Sequence, residues 1–216
     1  MIKENLKSLQ SELHPDVTLV AVSKTKPNED LMEAYNAGQR DFGENKVQEM
    51  TDKHEALPKD IRWHMIGHVQ RNKVKYMAKF VHLIHSVDSL KLLKEINKRA
   101  KNEDRVVDVL IQLKIAEEDS KFGLSKDDLL ALLEHSKADN FHNVRIVGLM
   151  GMATFTDDEA QISREFASLE NLYFDLKEDY NFTTLSMGMS GDYPIALKHN
   201  SNMVRVGSKI FGERNY

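Results

Sequence analysis

Residues 17–24, VTLVAVSK, are short, aliphatic and rich in Val, the pattern of a strand buried on both faces. The turn after that strand decides the fold. An open doubly wound sheet of the nucleotide-binding type would put a glycine-rich turn there. Here Lys24 stands at that point, and Pro27 and Asn28 open a helix that carries Leu31, Met32, Ala34 and Tyr35 and closes at Gly38. The same strand–helix unit recurs outward along the chain. Strands are read at 40–43, 62–67, 81–87, 106–115, 144–152, 183–189 and 203–207, with helical segments between them at 45–57, 70–79 and after Asp88 or Ser89. Ser125 to Asp128 has capping-box spacing, and Thr156 to Glu159 is expected to cap a long helix with the stripe Ile162, Phe166, Leu169, Leu172, Tyr173 and Leu176. A short helix is read at 194–200. Ahead of all these, Ile2, Leu6, Leu9 and Leu13 mark one face of a helix stopped by Pro15. Alternation of this kind implies parallel strands joined by right-handed crossovers. Eight units closing on themselves make a single α/β domain over residues 1–216: a (β/α)8 TIM barrel with an extra N-terminal helix, shorter than the ~250 residues usual for that fold.

Composition narrows the function classes. Thirty Lys plus Arg against 34 Asp plus Glu give a net charge of −4, and the chain has no cysteine, so disulfides and thiolate metal sites are excluded and a reducing cytoplasm fits. The longest aliphatic run, 17–22, is broken by Thr18 and falls far short of the ~20 apolar residues of a membrane span. The first fifteen residues lack the apolar core of a secretory signal. The basic stretch Arg71-Asn-Lys73-Val-Lys75 reads as a solvated helix rather than a nucleic-acid stripe. His64 with His68, and His82 with His85, lie on or near strands and lack a helical H-E-x-x-H pattern, so no metal is expected. The expectation is a cytoplasmic monomer that engages neither nucleic acid nor membrane.

In such a barrel, function sits at the C-terminal ends of the strands. Lys24 ends the first strand, where partial desolvation lowers an amine's pKa and makes it available to form a Schiff base with a carbonyl; a plain solvent-facing lysine is the alternative. Ser186-Met-Gly188-Met-Ser190-Gly191 follows the seventh strand and Arg205-Val-Gly207-Ser208 ends the eighth. Glycines let backbone N–H groups approach an anion and serines add donors, and the loops after strands seven and eight are the recurrent phosphate site of this fold. An amine at strand one and a phosphate cup at strands seven and eight are neighbours in a closed barrel. Together they suit a ligand with both an aldehyde and a phosphate, such as pyridoxal 5′-phosphate (PLP) or a phosphorylated sugar aldehyde.

The strings VAVSKTKP, FGENKVQE, WHMIGHVQRNK, SKFG (120–123), GLMGM, SMGMSGDYPIAL and VRVGSKIFG run in order from Val17 to the C-terminus. In this order they resemble the pyridoxal phosphate homeostasis protein (YggS/PROSC) family, whose barrel is akin to that of alanine racemase-type PLP proteins. The resemblance implies that Lys24 is the internal aldimine lysine, that Ser190, Gly207 and Ser208 hold the phosphate, and that Arg205 approaches the pyridine nitrogen and keeps it unprotonated. It implies that Asn45, His64 and Met150 line the same pocket, and that Lys26 faces solvent. Asn200 and Asn202 stand where the family often has Gly and Thr, and Ser208 where it often has Thr; Asn200 suits a left-handed backbone.

Racemases of similar barrel type add a second domain whose tyrosine works on the far face of the cofactor, and racemisation needs one acid–base group on each face. Eight units and one helix leave no segment for such a domain. A non-catalytic PLP carrier or regulator is therefore expected, with indirect effects on amino and keto acid balance and with PLP-dependent apoenzymes as candidate acceptors. The alternatives are a low-activity PLP-dependent amino-acid racemase and a Schiff-base aldolase.

Overall fold

The structure, a computed structural model, describes residues 1–117 and 122–212. Ser120 and Lys121 of the SKFG string lie outside the described residues. Eight strands close a barrel in chain order: β1 (Thr18–Val22), β2 (Asp41–Glu44), β3 (Arg62–Met65), β4 (Leu83–Val87), β5 (Val107–Leu113), β6 (Val144–Gly151), β7 (Thr184–Ser186) and β8 (Met203–Val206). Every pairing is parallel, and β1 closes on β8 with Val20 opposite Arg205.

Strand alternation sorts the side chains into two shells. Val20, Leu83, Leu110, Met150 and Met203 form a small cluster inside the barrel. Their neighbours Leu19, Ala21, Ile84, Val109, Ile111 and Val204 point the other way, into the larger layer shared with the helices. That layer receives Leu31 and Ala34 from α2 (Asn28–Asn36), Met50 from α3 (Val47–Ala56), Leu92, Leu93 and Ile96 from α5 (Leu90–Asn102), and Leu129, Leu132 and Leu133 from α6 (Lys126–Ala138). The long α7 (Glu159–Tyr180) buries Ile162, Phe166, Leu169, Leu172, Tyr173 and Leu176, the stripe its periodicity predicts.

The extra helix α1 (Ile2–Glu12) buries Ile2, Leu6 and Leu9. Its Asn5 Nδ2 donates to the Ile210 carbonyl of α9 (Ser208–Phe211), 3.1 Å away, so the first and last helices meet. Short α8 (Tyr193–Lys198) joins β7 to β8.

Several local expectations change. Residues 70–79 form a 3-10 turn (Arg71–Lys73) and one helical turn, α4 (Val74–Met77), rather than a full helix. The cap of α7 is Asp158, whose carboxylate accepts from the Gln161 amide at 3.1 Å; Thr156 sits two residues before it and accepts from the Asp158 amide. Strand β7 is three residues long, because Gly188 takes φ +100° and ends the extended run. A Cβ there would lie 2.8 Å from the Ala196 Cβ and 2.9 Å from the Tyr193 Cα, so glycine lets α8 fold tightly under the loop. Asn200 is left-handed, at φ +58°, as its residue type suggests. Asn202 accepts from the Leu185 amide and donates to the Thr183 carbonyl, bracing the starts of β7 and β8. Both asparagines therefore precede β8, at the opposite end from the expected phosphate loop.

Candidate functional site

A cavity of about 790 Å³ opens at the C-terminal ends of the strands. Lys24, Asn45, Gly67 and Gln112 line it from the first five strands and their loops. Ser190, Arg205, Gly207 and Ser208 line it from the last two. Gly67 is required by closeness: a Cβ there would stand 2.3 Å from the Asn45 carbonyl oxygen.

Lys24 sits on a clamped backbone. Residue 23 before it is a buried serine whose hydroxyl donates to Glu44 Oε1 at 2.6 Å. Thr25 after it is held at φ +65°, uncommon for a β-branched residue, and its amide donates to Glu49 Oε1 at 2.6 Å. Lys53 ties the two sides together. Its ammonium donates to the Ser23 carbonyl, Glu44 Oε1 and Glu49 Oε1 at 2.7–2.8 Å. Burial pushes the Glu44 carboxyl up to about 7, against the lowering pull of Lys53 and Ser23. Its second oxygen, Oε2, is buried with no partner among the described residues. Glu49 is half-exposed and stays below the usual carboxylate range: burial raises it, but the Lys53 and Thr25 hydrogen bonds outweigh that.

On the facing rim, Ser190 Oγ accepts from the Gly207 amide at 3.2 Å, stitching the loop after β7 to the end of β8. Ser208 and Lys209 open α9, so their amides lack intrahelical acceptors. Among the described residues, four cations line the cavity (Lys24, Lys26, Arg205 and Lys209) against two carboxylates, Asp157 and Asp192. The balance favours an anion. Lys26 is not simply solvent-facing: it lines the cavity and its ammonium donates to the carbonyls of Phe211 and Gly212.

Arg205 is 3% exposed. Its Nη1 donates to Ser186 Oγ at 2.6 Å and its Nη2 to the Gly151 carbonyl at 3.1 Å. Burial lowers its pKa to about 10, with Asp192 pulling the other way, so the guanidinium remains a cation at neutral pH.

The structure does not bring His64 or Met150 to the cavity wall. Met150 packs inside the barrel with Val20, Leu83, Leu110 and Met203, and its neighbour Met152 lines the cavity instead. His64 is fully buried between Asp41 and His85. His82 approaches the same pair, and Asp41, His64 and His82 could surround one ion; Arg62, however, already donates to both Asp41 oxygens and neutralises the carboxylate. Residue-type reasoning missed the clamp that Ser23, Glu44 and Lys53 form together; it took Ser186 for the start of the phosphate loop and weighed His85 only for a metal, whereas the structure pairs the two inside the barrel. Strand alternation carries a signal for Ser186, two positions before the loop glycine and on the inward face.

Comparison with known proteins fixes the family. The model of the alanine racemase N-terminal domain matches residues 1–215. A pyridoxal phosphate homeostasis protein of Aquifex aeolicus is 40% identical over 201 residues, covering 92% of this chain and 87% of that protein. The chain belongs to the pyridoxal phosphate homeostasis protein family. The human member is 39% identical, across 92% of this chain and 77% of its own length. Among solved structures, PipY of Synechococcus elongatus with PLP bound superposes with a TM-score of 0.89 at 36% identity, covering 98% of this chain and all of that one. Alanine racemase of Clostridium difficile shares the barrel fold, with a TM-score of 0.82 at 14% identity over 57% of its length. Among the described residues, no helix is long and apolar enough to cross a membrane.

Proposed function

We propose that this chain binds PLP in the cavity at the strand ends and serves PLP homeostasis as a carrier, with Lys24 as the covalent attachment point. One observation carries the reading: the clamped Lys24 and the Ser190–Gly207–Ser208 rim face a single cavity, with the Arg205 cation also in its wall. The family and the PLP-bound structure of PipY support it.

When bound, PLP supplies an aldehyde that condenses with a primary amine, losing water. The Lys24 amine meets that carbon. The Ser190 and Ser208 hydroxyls and the amides at the start of α9 bind the phosphate, helped by Lys26 and Lys209 in the cavity wall. Arg205, a donor-only side chain, gives a hydrogen bond to the ring nitrogen and so holds that atom unprotonated. Without a ring proton the cofactor is a weak electron sink, which suits storage over turnover.

The test is spectroscopic. Protein loaded with PLP should absorb in the visible, and borohydride should fix the adduct on the peptide bearing Lys24. Lys24→Ala should abolish both, and an unchanged adduct in that variant would overturn the assignment. Exchange of the α-proton of free amino acids by the loaded protein would favour the racemase reading instead. The same reading makes the protein a monomeric cytoplasmic barrel of one domain that delivers PLP to apoenzymes. Size-exclusion mass and transfer of PLP to an apo-aminotransferase test those two parts.

A further inference from the structure

An unbroken hydrogen-bonded chain crosses the barrel interior. It begins at Asp41, the first residue of β2, where Arg62 of β3 donates to both carboxylate oxygens. His64 Nε2 lies 2.9 Å from Asp41 Oδ1, and His64 Nδ1 lies 2.9 Å from His85 Nε2. His85 Nδ1 lies 3.0 Å from Ser186 Oγ, which accepts from Arg205 Nη1 at 2.6 Å. All four links join side chains of β2, β3, β4, β7 and β8, and His64, His85 and Ser186 are fully buried.

With both rings neutral, the Asp41 end fixes the direction of every proton along the chain. A guanidinium only donates, so Ser186 Oγ accepts from Arg205 and its own hydrogen is left for His85 Nδ1. An ionised carboxylate only accepts, so His64 Nε2 carries a hydrogen toward Asp41. Arg62 and His64 hold the Asp41 carboxyl well below its usual range in spite of burial, so it is ionised. With Nδ1 of both rings acting as acceptor, His85 Nε2 donates to His64 Nδ1 and every hydrogen is matched. The Arg205 end accommodates this assignment, since Ser186 Oγ accepts from the guanidinium while its hydrogen points to His85. An extra proton on either ring would break the match, leaving the Ser186 hydrogen without its His85 acceptor in a buried place. Burial, with the Arg205 guanidinium nearby, holds the His85 pKa well below the ordinary value and keeps that ring neutral.

We propose that Asp41, His64, His85 and Ser186 are positioning residues: a one-directional relay of neutral imidazoles that anchors the Arg205 guanidinium and fixes which of its N–H groups face the cavity. The relay gives a buried arginine a link to a carboxylate at the far end of the barrel. Arg205 uses two donors inside the protein, on Ser186 and on the Gly151 carbonyl, and keeps others for a ligand. The role toward PLP rests on the functional reading of the cavity; the proton arrangement does not.

Two measurements test it. Long-range ¹H–¹⁵N correlation spectra of the ligand-free protein, assigned with His64→Gln and His85→Gln, should show both rings neutral and protonated at Nε2. A ring protonated at Nδ1, or doubly protonated at neutral pH, would overturn the relay. PLP titration of Ser186→Ala should show roughly tenfold or greater weakening and a displaced absorption band, because a charge-assisted anchor is lost. Ser186→Thr, which keeps the hydroxyl, should stay within about threefold of the parent and keep its band. Parent-like affinity and spectrum in Ser186→Ala would overturn the positioning role, and the ligand-free spectra decide the proposal even if that variant fails to fold. Failure of the parent protein to take up PLP would sink the functional reading, while the ring tautomers would still judge the relay.

Discussion

Glu44→Gln makes a quantitative prediction about pH. The Glu44 carboxyl is fully buried and its pKa is pushed up to about 7, whereas in the unfolded chain it titrates near 4.5. Between those values the folded state binds the extra proton. The contribution of Glu44 is therefore fully present below the unfolded value and is lost as pH rises toward 7. With each pKa unit worth about 1.4 kcal/mol, integration from pH 5 to pH 7.5 gives a loss of about 2 kcal/mol from this one group. Glutamine cannot titrate, and its own cost is the same at both pH values. The urea-unfolding free energy of Glu44→Gln relative to the parent should improve by about 2 kcal/mol between pH 5 and pH 7.5. Taking the difference is essential. His54, His82 and His85 are all depressed by burial, so they favour the folded state as pH rises through the same window, and they cancel in the comparison. A relative change under about 0.5 kcal/mol would refute the claim that burial governs Glu44 in spite of its ion pair with Lys53.

Lys53→Met leaves Glu44 and Glu49 without their shared cation and should cost about 3 kcal/mol at pH 7, lowering the melting temperature by roughly 6–12 °C. Glu44→Leu with Lys53→Met should recover most of that loss in urea unfolding, since a well-packed apolar pair often matches a buried ion pair. Gly188→Ala should destabilise by about 1–3 kcal/mol and weaken phosphate and PLP binding, because the new Cβ meets α8 and the backbone there is left-handed. Calorimetry and PLP titration check both effects, and parent-like values would remove the loop from the account.

The barrel was legible because its signal is repeated. Strand-like runs, most of them aliphatic, alternate with amphipathic stretches along the whole chain, and the alternation points to one closed parallel sheet. The capping serine of α6 and the apolar stripe of α7 were equally plain, each resting on contacts within a few residues. The rim was legible for a related reason. Lys24, Ser190, Gly207 and Ser208 follow strand ends, and strand ends of a barrel face one mouth. The clamp was not legible. Glu44 is charged on an outward strand face, next to Lys53 on a helix, and nothing in either local pattern announces that they meet beneath residues 23 to 25.

The misplacement of His64 shows where sequence reasoning stops. Alternation gives the face of a strand, and it puts His64 on the same inward face as Arg205. It does not give depth. Depth inside a barrel depends on strand tilt and shear, which belong to the closed sheet and to no single strand. The interior mixes polar and apolar groups: Asp41 opens β2, His64 stands two residues into β3, Val20, Leu83, Leu110, Met150 and Met203 form the apolar cluster, and Ser186 and Arg205 lie toward the ends of β7 and β8. His85 joins His64 on one side to Ser186 on the other. A histidine on an inward face therefore reads as a pocket ligand from sequence alone, yet its partners here are other buried polar groups. The same geometry makes the interior polar set worth keeping. Unpaired, each of these groups would cost about 1–3 kcal/mol of desolvation. Joined end to end between a guanidinium and a carboxylate, every one of them is satisfied, and the arginine that faces the cavity is held from below.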